Sequence, residues 1–390
     1  MPKGQVITLQ FHDSVDEATR AIVTRLTPPD VTCHRTYFYQ KCFTCDGQHL
    51  LFGAWFDGDW NCYLLDLQNQ TARQLTEGPG DNTFGCFLSP DDRLMYYVKG
   101  GRELRRVHLE SLHEDVVYVV PEGYTGYGTW VANSDCTRMV GIEVVSEDLL
   151  PLSSWEQFHE QFHRRPRSRI VIIDLASGQG KIIHEEARWL GHPMYRPLDD
   201  QTVAFCHEGP HDLVRTRMWL MNEDGSNLRP VKQQDEDESC THEFWVPDGS
   251  RMIYVSYRKG IQDRFICAAD PITLENQELM TMPPCSHLMS NFNGTQLVGD
   301  GSDTPADVDA ESAFELENDP FLYHFDLKSG QTRRIAQHGT SWKVHLNNRQ
   351  VTHPHPSFTP DERQVLFTSD KDGEPAVYLV TLPWQQQADL

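Results

Sequence analysis

The sequence predicts an all-β fold: a seven-bladed β-propeller whose ring is closed by an N-terminal strand completing the last blade. Three observations predict it. A four-stranded unit recurs seven times along the 390 residues. The last copy stops after its third strand. A segment near the N-terminus resembles the strand that this copy lacks. Within each copy, strands alternate apolar and polar residues with period two, and turns of Pro, Asp, Asn or Gly separate them. Repeats of about 40 to 70 residues with this pattern read as propeller blades.

The first copy is "FTCDGQHLLFGAWFDGDWNCYLLDLQNQTARQLT", from Phe43. The second begins "FLSPDDRLMYYVKGG" at Phe87, and the third "WVANSDCTRMVGIEVV" at Trp130, resuming at "RSRIVIIDL" after an insert. The fourth and fifth run from His192 and His242; the sixth runs from His287 and resumes at "DPFLYHFDL"; the seventh is "HPSFTPDERQVLFTSDKDGEPAVYLVTL", from His355. Blades thus begin near residues 40, 85, 129, 192, 242, 287 and 355. Each can bury its faces only against its neighbours, so residues 1–390 are expected to form a single domain. The segment "AIVTRLTPPD", from Ala21, resembles "TARQLTEGPGD" of the first copy and would supply the missing outer strand, removing a free edge. Inserts near 146–168 and 303–319 leave from strand ends; the first predicts a short helix from Ser153 to His163, and the second is acidic and loop-like.

The formal net charge of -23 argues against nucleic acid or an anionic membrane as partner. It leaves room for an anionic small substrate held in a local basic pocket. No stretch reaches the roughly 18 apolar residues of a membrane span. The N-terminus "MPKGQVITLQFHD" has no apolar signal core, so a cytoplasmic protein is expected. The ten cysteines are scattered, many in apolar strand-like runs, which suits reduced thiols. A single CxxC, Cys42 to Cys45, has no second pair and falls in an ordinary strand and turn.

Alignment of the copies on their first strand, which lines the channel of a propeller, brings Gln40, Gly85, Thr129, His192, His242, His287 and His355 into register. One imidazole can simply fill a tapering channel. Four in consecutive blades, from only 18 histidines, together with His353, point to a functional cluster. His353 and His355 would share one face of an extended strand, since Pro354 and Pro356 exclude a helix. Three neutral imidazoles with open positions suit Mn, Fe, Co, Ni or Zn, and not a closed cysteine-rich zinc site. In "CHEGPHDLVRTRMW", Arg215 and Arg217 would share one side of a strand, and a cation there could hold a carboxylate in two-pronged fashion.

At these residues the chain closely resembles oligogalacturonate lyases. The resemblance runs from about Gln5 to Trp384 and rests on "VTRLTPPDVTCHRTYFYQKCFT", "LTEGPGDNTFG", "GYGTWVANSDCT", "FCHEGPHDLV", "CTHEFWVPDGS", "MPPCSHLMSN" and "QVTHPHPSFTPD". It implies a seven-bladed propeller that cleaves short saturated or unsaturated oligogalacturonides, chiefly disaccharides. The reaction it implies is metal-assisted β-elimination to 5-dehydro-4-deoxy-D-glucuronate in pectin catabolism. It also implies Mn2+, or another divalent transition metal, on His287, Gln350, His353 and His355, with His242 as Brønsted base and Arg217 stabilising carboxylate charge. Gln350 stands three residues before His353, so its inclusion needs a bend. His211, His192, His34, Arg35 and Lys41 are further candidates for substrate contact, being polar and near strand ends or the channel. A TolB-like binding propeller shares the blade turns but has no use for a ring of channel histidines. A peptidase of the prolyl oligopeptidase type would need a G-x-S-x-G elbow and a hydrolase domain, and no residues remain outside the blades to build one.

Overall fold

A computed structural model of the chain describes residues 2–152, 154–261, 263–301, 319–348 and 350–386. Seven antiparallel sheets follow one another in chain order. Their first strands are Cys33–Arg35, Phe87–Leu88, Tyr124–Ala132, Leu190–Tyr195, Glu238–Trp245, Cys285–Ser290 and Ser357–Phe358. The core lies in the seams between blades. Met95, Leu65 and Leu379 pack together from blades 2, 1 and 7; Phe244, Ile253, Leu288 and Phe325 join blades 5 and 6; Val365, Phe367 and Val298 join blades 7 and 6. Strands covered on both faces in this way read as apolar runs, such as "MIYVSY" in blade 5.

The ring closes as expected. Strand Ile22–Arg25 pairs with the last strand, Ala376–Thr381, with Val23 opposite Val380 and both fully buried. The N-terminal segment does more than the sequence suggested. Strand His12–Val15 adds a fifth strand to blade 7, and Val6–Thr8 adds a fifth to blade 1. It therefore straddles the seam where the ring is joined.

The inner strands are not regular. Their pairing shifts register between Tyr127 and Val131, Gly191 and Met194, Thr241 and Phe244, and Cys285 and Leu288. His192 and His242 sit at these bulges with left-handed φ values of 47° and 52°. A bulge re-aims one side chain at the cost of local strain, and histidine tolerates that conformation better than most residues. Blade 1 departs further. Its inner strand ends at Arg35 and pairing resumes only at Phe43, so Gln40 is not in a strand. The intervening detour carries Tyr37, Phe38 and Tyr39 into the channel. Phe38 is buried against the rings of Phe244, His287 and His355. Gln40 still reaches the neighbouring blades: its Nε2 donates to Gly85 O at 3.1 Å and to Trp130 O at 3.0 Å.

The first insert forms a helix, Trp155–Arg164, capped by the Ser154 side chain and ended by Arg165 with φ 50°. Ser153, the expected start, lies outside the described residues, as does the second insert apart from Asp319. Among the described residues no helix is long and apolar enough to cross a membrane. All ten cysteines are free, and neither Cys42 nor Cys45 joins a metal-ligand cluster among the described residues.

Candidate active site

The inner strand of blade 6 presents His287. Its backbone N–H donates to Asp300 Oδ1 at 2.7 Å, and its Nδ1 lies 2.8 Å from Asp300 Oδ2. Asp300 comes from the second strand of the same blade, Gln296–Gly301, and is completely buried. Burial alone would raise its carboxyl pKa, but His287 outweighs that and holds it below the ordinary range. The ionised carboxylate fixes the proton on Nδ1 and leaves the Nε2 lone pair for a ligand.

Gln350 opens a short 3₁₀ turn, Gln350–Thr352, and His353 N–H donates back to Gln350 O at 3.1 Å. The chain then passes Pro354 and turns through His355, whose φ is 45°. Residues 353–356 are not in a strand; pairing begins at Ser357. The two rings therefore do not converge by strand alternation. A turn and one left-handed residue converge the two rings, and the same turn is the bend that Gln350 needed. One atom from each of His287, His353 and His355 lies within 4.8 Å of the others. Behind them, buried Arg35 donates from Nη1 to His355 O and to Ser357 Oγ, each at 2.6 Å, and so pins the loop.

This set fits a divalent transition metal. Gln350 Oε1 and both ring nitrogens of His355 are buried without a hydrogen-bond partner among the described residues. Orphaned polar atoms of this kind are costly unless something binds them. Burial, followed by the neighbouring rings of His287 and His353, pushes the His355 pKa well down, so its imidazole is neutral and can act as a donor. Three imidazoles and one amide oxygen leave open positions.

His242 packs edge-on against His287, with ring centroids 4.7 Å apart. Its ring makes no hydrogen bond among the described residues, and its Nδ1 is buried. Burial, then His287, His211 and Arg217, holds its pKa well below the ordinary value, so it is a neutral base with a free lone pair. The next residue, Glu243, points the other way and is buried. It accepts from Arg217 Nε at 2.8 Å and from His192 Nδ1 at 2.9 Å. Glu208 reaches the two outer nitrogens of Arg217 only at 3.4 and 3.5 Å. Burial would lower the His192 pKa, but Glu243 and Glu208 overcome it and raise it. His192, Cys206 and Glu243 satisfy the distances of a metal cluster. The acid of that trio is already committed to Arg217 and His192, so it reads as an ion-pair network.

Arg217 does not lie on a strand with Arg215. Both precede the third strand of blade 4, Met218–Asn222; Arg217 is buried, while Arg215 turns outward and donates to Glu236 O at 2.7 Å. The shared strand face expected of them does not form.

A cavity of about 470 Å³ joins these groups. His242, His287, Gln350 and His353 line one side; His192, His211 and Arg217 line another; Trp155 and Phe158 of the insert helix and Trp189 are also in its wall. His355 lies beneath the lining. His34, Arg35 and Lys41 are not in the cavity wall. His34 is fully buried, stacked on Phe84, and bonded to Arg35 O at 2.7 Å and Thr83 Oγ1 at 2.9 Å. Lys41 pairs with Asp92 and donates to Ser89 O at the seam between blades 1 and 2. All three are held by protein partners. The sequence reading missed Asp300, Glu208 and Glu243. An acid inside an apolar run was the available signal, as in "THEFW" and "LVGDGS".

The profile of a family described as oligogalacturonate lyase matches residues 1–385. The oligogalacturonide lyase of Pectobacterium atrosepticum is 63% identical over 383 residues, covering 98% of this chain and 99% of that protein. The oligogalacturonate lyase of Dickeya dadantii is 60% identical over 388 residues, covering 99% and 100%. A solved oligogalacturonate lyase in complex with manganese superposes with a TM-score of 0.93 at 62% identity, covering 99% of each chain.

Proposed function

This chain belongs to the oligogalacturonate lyase family and is a lyase of oligogalacturonides; from that premise we propose how it works. The substrates are short saturated or unsaturated oligogalacturonides, chiefly disaccharides, cleaved by β-elimination to 5-dehydro-4-deoxy-D-glucuronate. His287, Gln350, His353 and His355 hold a divalent metal, with Mn2+ the preferred ion. The observation that carries this reading is one cavity in which His287, Gln350 and His353, backed by His355, meet a neutral His242 and a buried Arg217.

The reaction removes the proton at C5, α to a uronate carboxylate, and expels the glycosidic oxygen at C4. When bound, the metal supplies Lewis-acid polarisation of that carboxylate. His242 takes the C5 proton; burial and the cationic neighbour Arg217 keep its lone pair free at neutral pH. Arg217 faces the charge that develops on the carboxylate. Its Nε is anchored on Glu243, while its outer edge, only loosely engaged by Glu208, is the edge open to substrate. Trp155, Phe158 and Trp189 wall the cavity with apolar surface, which strengthens these charge interactions by excluding water. Ten free thiols, most of them buried, support a reducing, cytoplasmic setting.

The test is formation of unsaturated product from digalacturonate. Chelator should abolish turnover and added Mn2+ should restore it. Turnover indifferent to chelator would remove the metal from the reading, and no turnover with any divalent ion would remove the reaction.

A further inference from the structure

The reaction cavity has a neighbour. Beyond Glu208 lies a second cavity of about 490 Å³, and Trp189 and Glu208 line both. The insert helix serves both as well: Trp155 and Phe158 line the first, Phe162 and His163 the second. Its close approach depends on Gly209, whose φ is 146° and where a Cβ would stand 2.3 Å from the Phe162 ring.

Three arginines open onto the second cavity: Arg165, Arg188 and Arg215. Arg165 and Arg215 pair with no carboxylate among the described residues, and Arg188 Nε reaches Glu186 only at 3.8 Å. Other arginines, such as Arg105, Arg138, Arg167 and Arg169, are closely paired with carboxylates. The acids of the cavity are engaged elsewhere. Glu186 is bonded to His184 at 3.1 Å and His207 at 2.8 Å, and Glu208 faces Arg217 and His192. Guanidinium groups closely paired with no carboxylate, beside the indoles of Trp189 and Trp219, suit a carboxylated sugar: a fork of donors for the carboxylate and a flat apolar face for the ring.

We infer that this second cavity is a subsite for a further uronate unit, used by oligogalacturonides longer than the disaccharide. The inference rests on the lyase reading and extends it to chain length. It assigns Arg188 and Arg215 to the carboxylate of that unit and the shared Trp189 to the passage between the cavities.

The experiment compares trigalacturonate with digalacturonate on the full-length, Mn2+-loaded protein. Affinities are measured by calorimetry in a His242→Ala background, with and without Arg188→Ala/Arg215→Ala; both arginines are exposed, so the fold is not at stake. The wild-type side chains should bind the trimer more tightly than the dimer. The double substitution should lower the trimer-to-dimer affinity ratio roughly tenfold, about threefold for each lost exposed contact. A ratio changed less than twofold, or equal affinity for both oligomers with the arginines intact, overturns the subsite. Turnover of both oligomers by the unsubstituted protein is measured alongside. Its absence would sink the lyase reading, while the affinity ratio would still report on the cavity.

Discussion

Asp300 Oδ2 lies 2.8 Å from His287 Nδ1, while Asp300 Oδ1 accepts the backbone N–H of the same histidine at 2.7 Å. Oδ2 also stands 3.3 Å from the backbone N of His355. One buried carboxylate thus sets the tautomer of one proposed metal ligand and the position of another. Asp300→Asn can present an N–H to Nδ1 and favour the wrong tautomer. We expect it to weaken Mn2+ binding about 10- to 100-fold, with the far-ultraviolet circular dichroism unchanged. An unaltered manganese dissociation constant would show that the pair is only structural.

His242 separates binding from chemistry. Its ring touches His287 but belongs to no donor cluster among the described residues. His242→Ala should therefore lower kcat by about 10²- to 10⁴-fold, the usual contribution of a positioned base, while manganese content stays near that of the unsubstituted protein. Near-normal kcat in this variant would reassign the base.

These two predictions differ in how far the sequence could have led to them. His242 and His287 were legible because a propeller repeats, and a repeat turns one residue's position into a prediction about six others. The ring closure by Ile22–Arg25 was legible for the same reason, as a strand missing at one end and present at the other. Local backbone irregularity was not legible. The left-handed φ values at His192, His242 and His355 break the period-two rule that a strand argument relies on, and no residue pattern announces them. The detour through Tyr37–Tyr39 was hidden because three aromatics in a row read equally well as a buried strand. Glu243 was hidden because its partners Arg217 and His192 come from the preceding blade, and Asp300 because its pairing with His287 is set by the bulge between Cys285 and Leu288.

Phe38 tests whether that detour matters. It is 2% exposed and meets the rings of both His287 and His355. Phe38→Ala should cost about 3–5 kcal/mol through the cavity it leaves, and it should also loosen metal binding because two ligands lose a packing surface. Phe38→Leu, which keeps most of the volume, should retain manganese affinity. If the alanine variant loses stability but binds manganese normally, the plug is only a filler.

Glu114 gives a prediction about acid stability, and its sign follows from its partners. The carboxylate meets Lys3 Nζ at 2.5 Å, Tyr97 OH at 2.6 Å and Arg105 Nη1 at 2.8 Å, tying the N-terminal segment to blade 2. Burial would raise its pKa, but these three donors bring it from 4.5 down to about 2. A depressed folded-state pKa means the contribution is complete above the unfolded value and disappears as pH falls through the folded one. The stabilisation should therefore be full above about pH 4.5 and fade toward pH 2. The side chain is 19% exposed, so solvent screens part of the effect. Glu114→Gln should cost roughly 1–2 kcal/mol at neutral pH. Urea midpoints of the two proteins should converge as pH is lowered, with about half or less of the neutral-pH difference remaining near pH 3. A difference that stays constant between neutral pH and pH 3 would mean that the loss comes from packing and not from the charge.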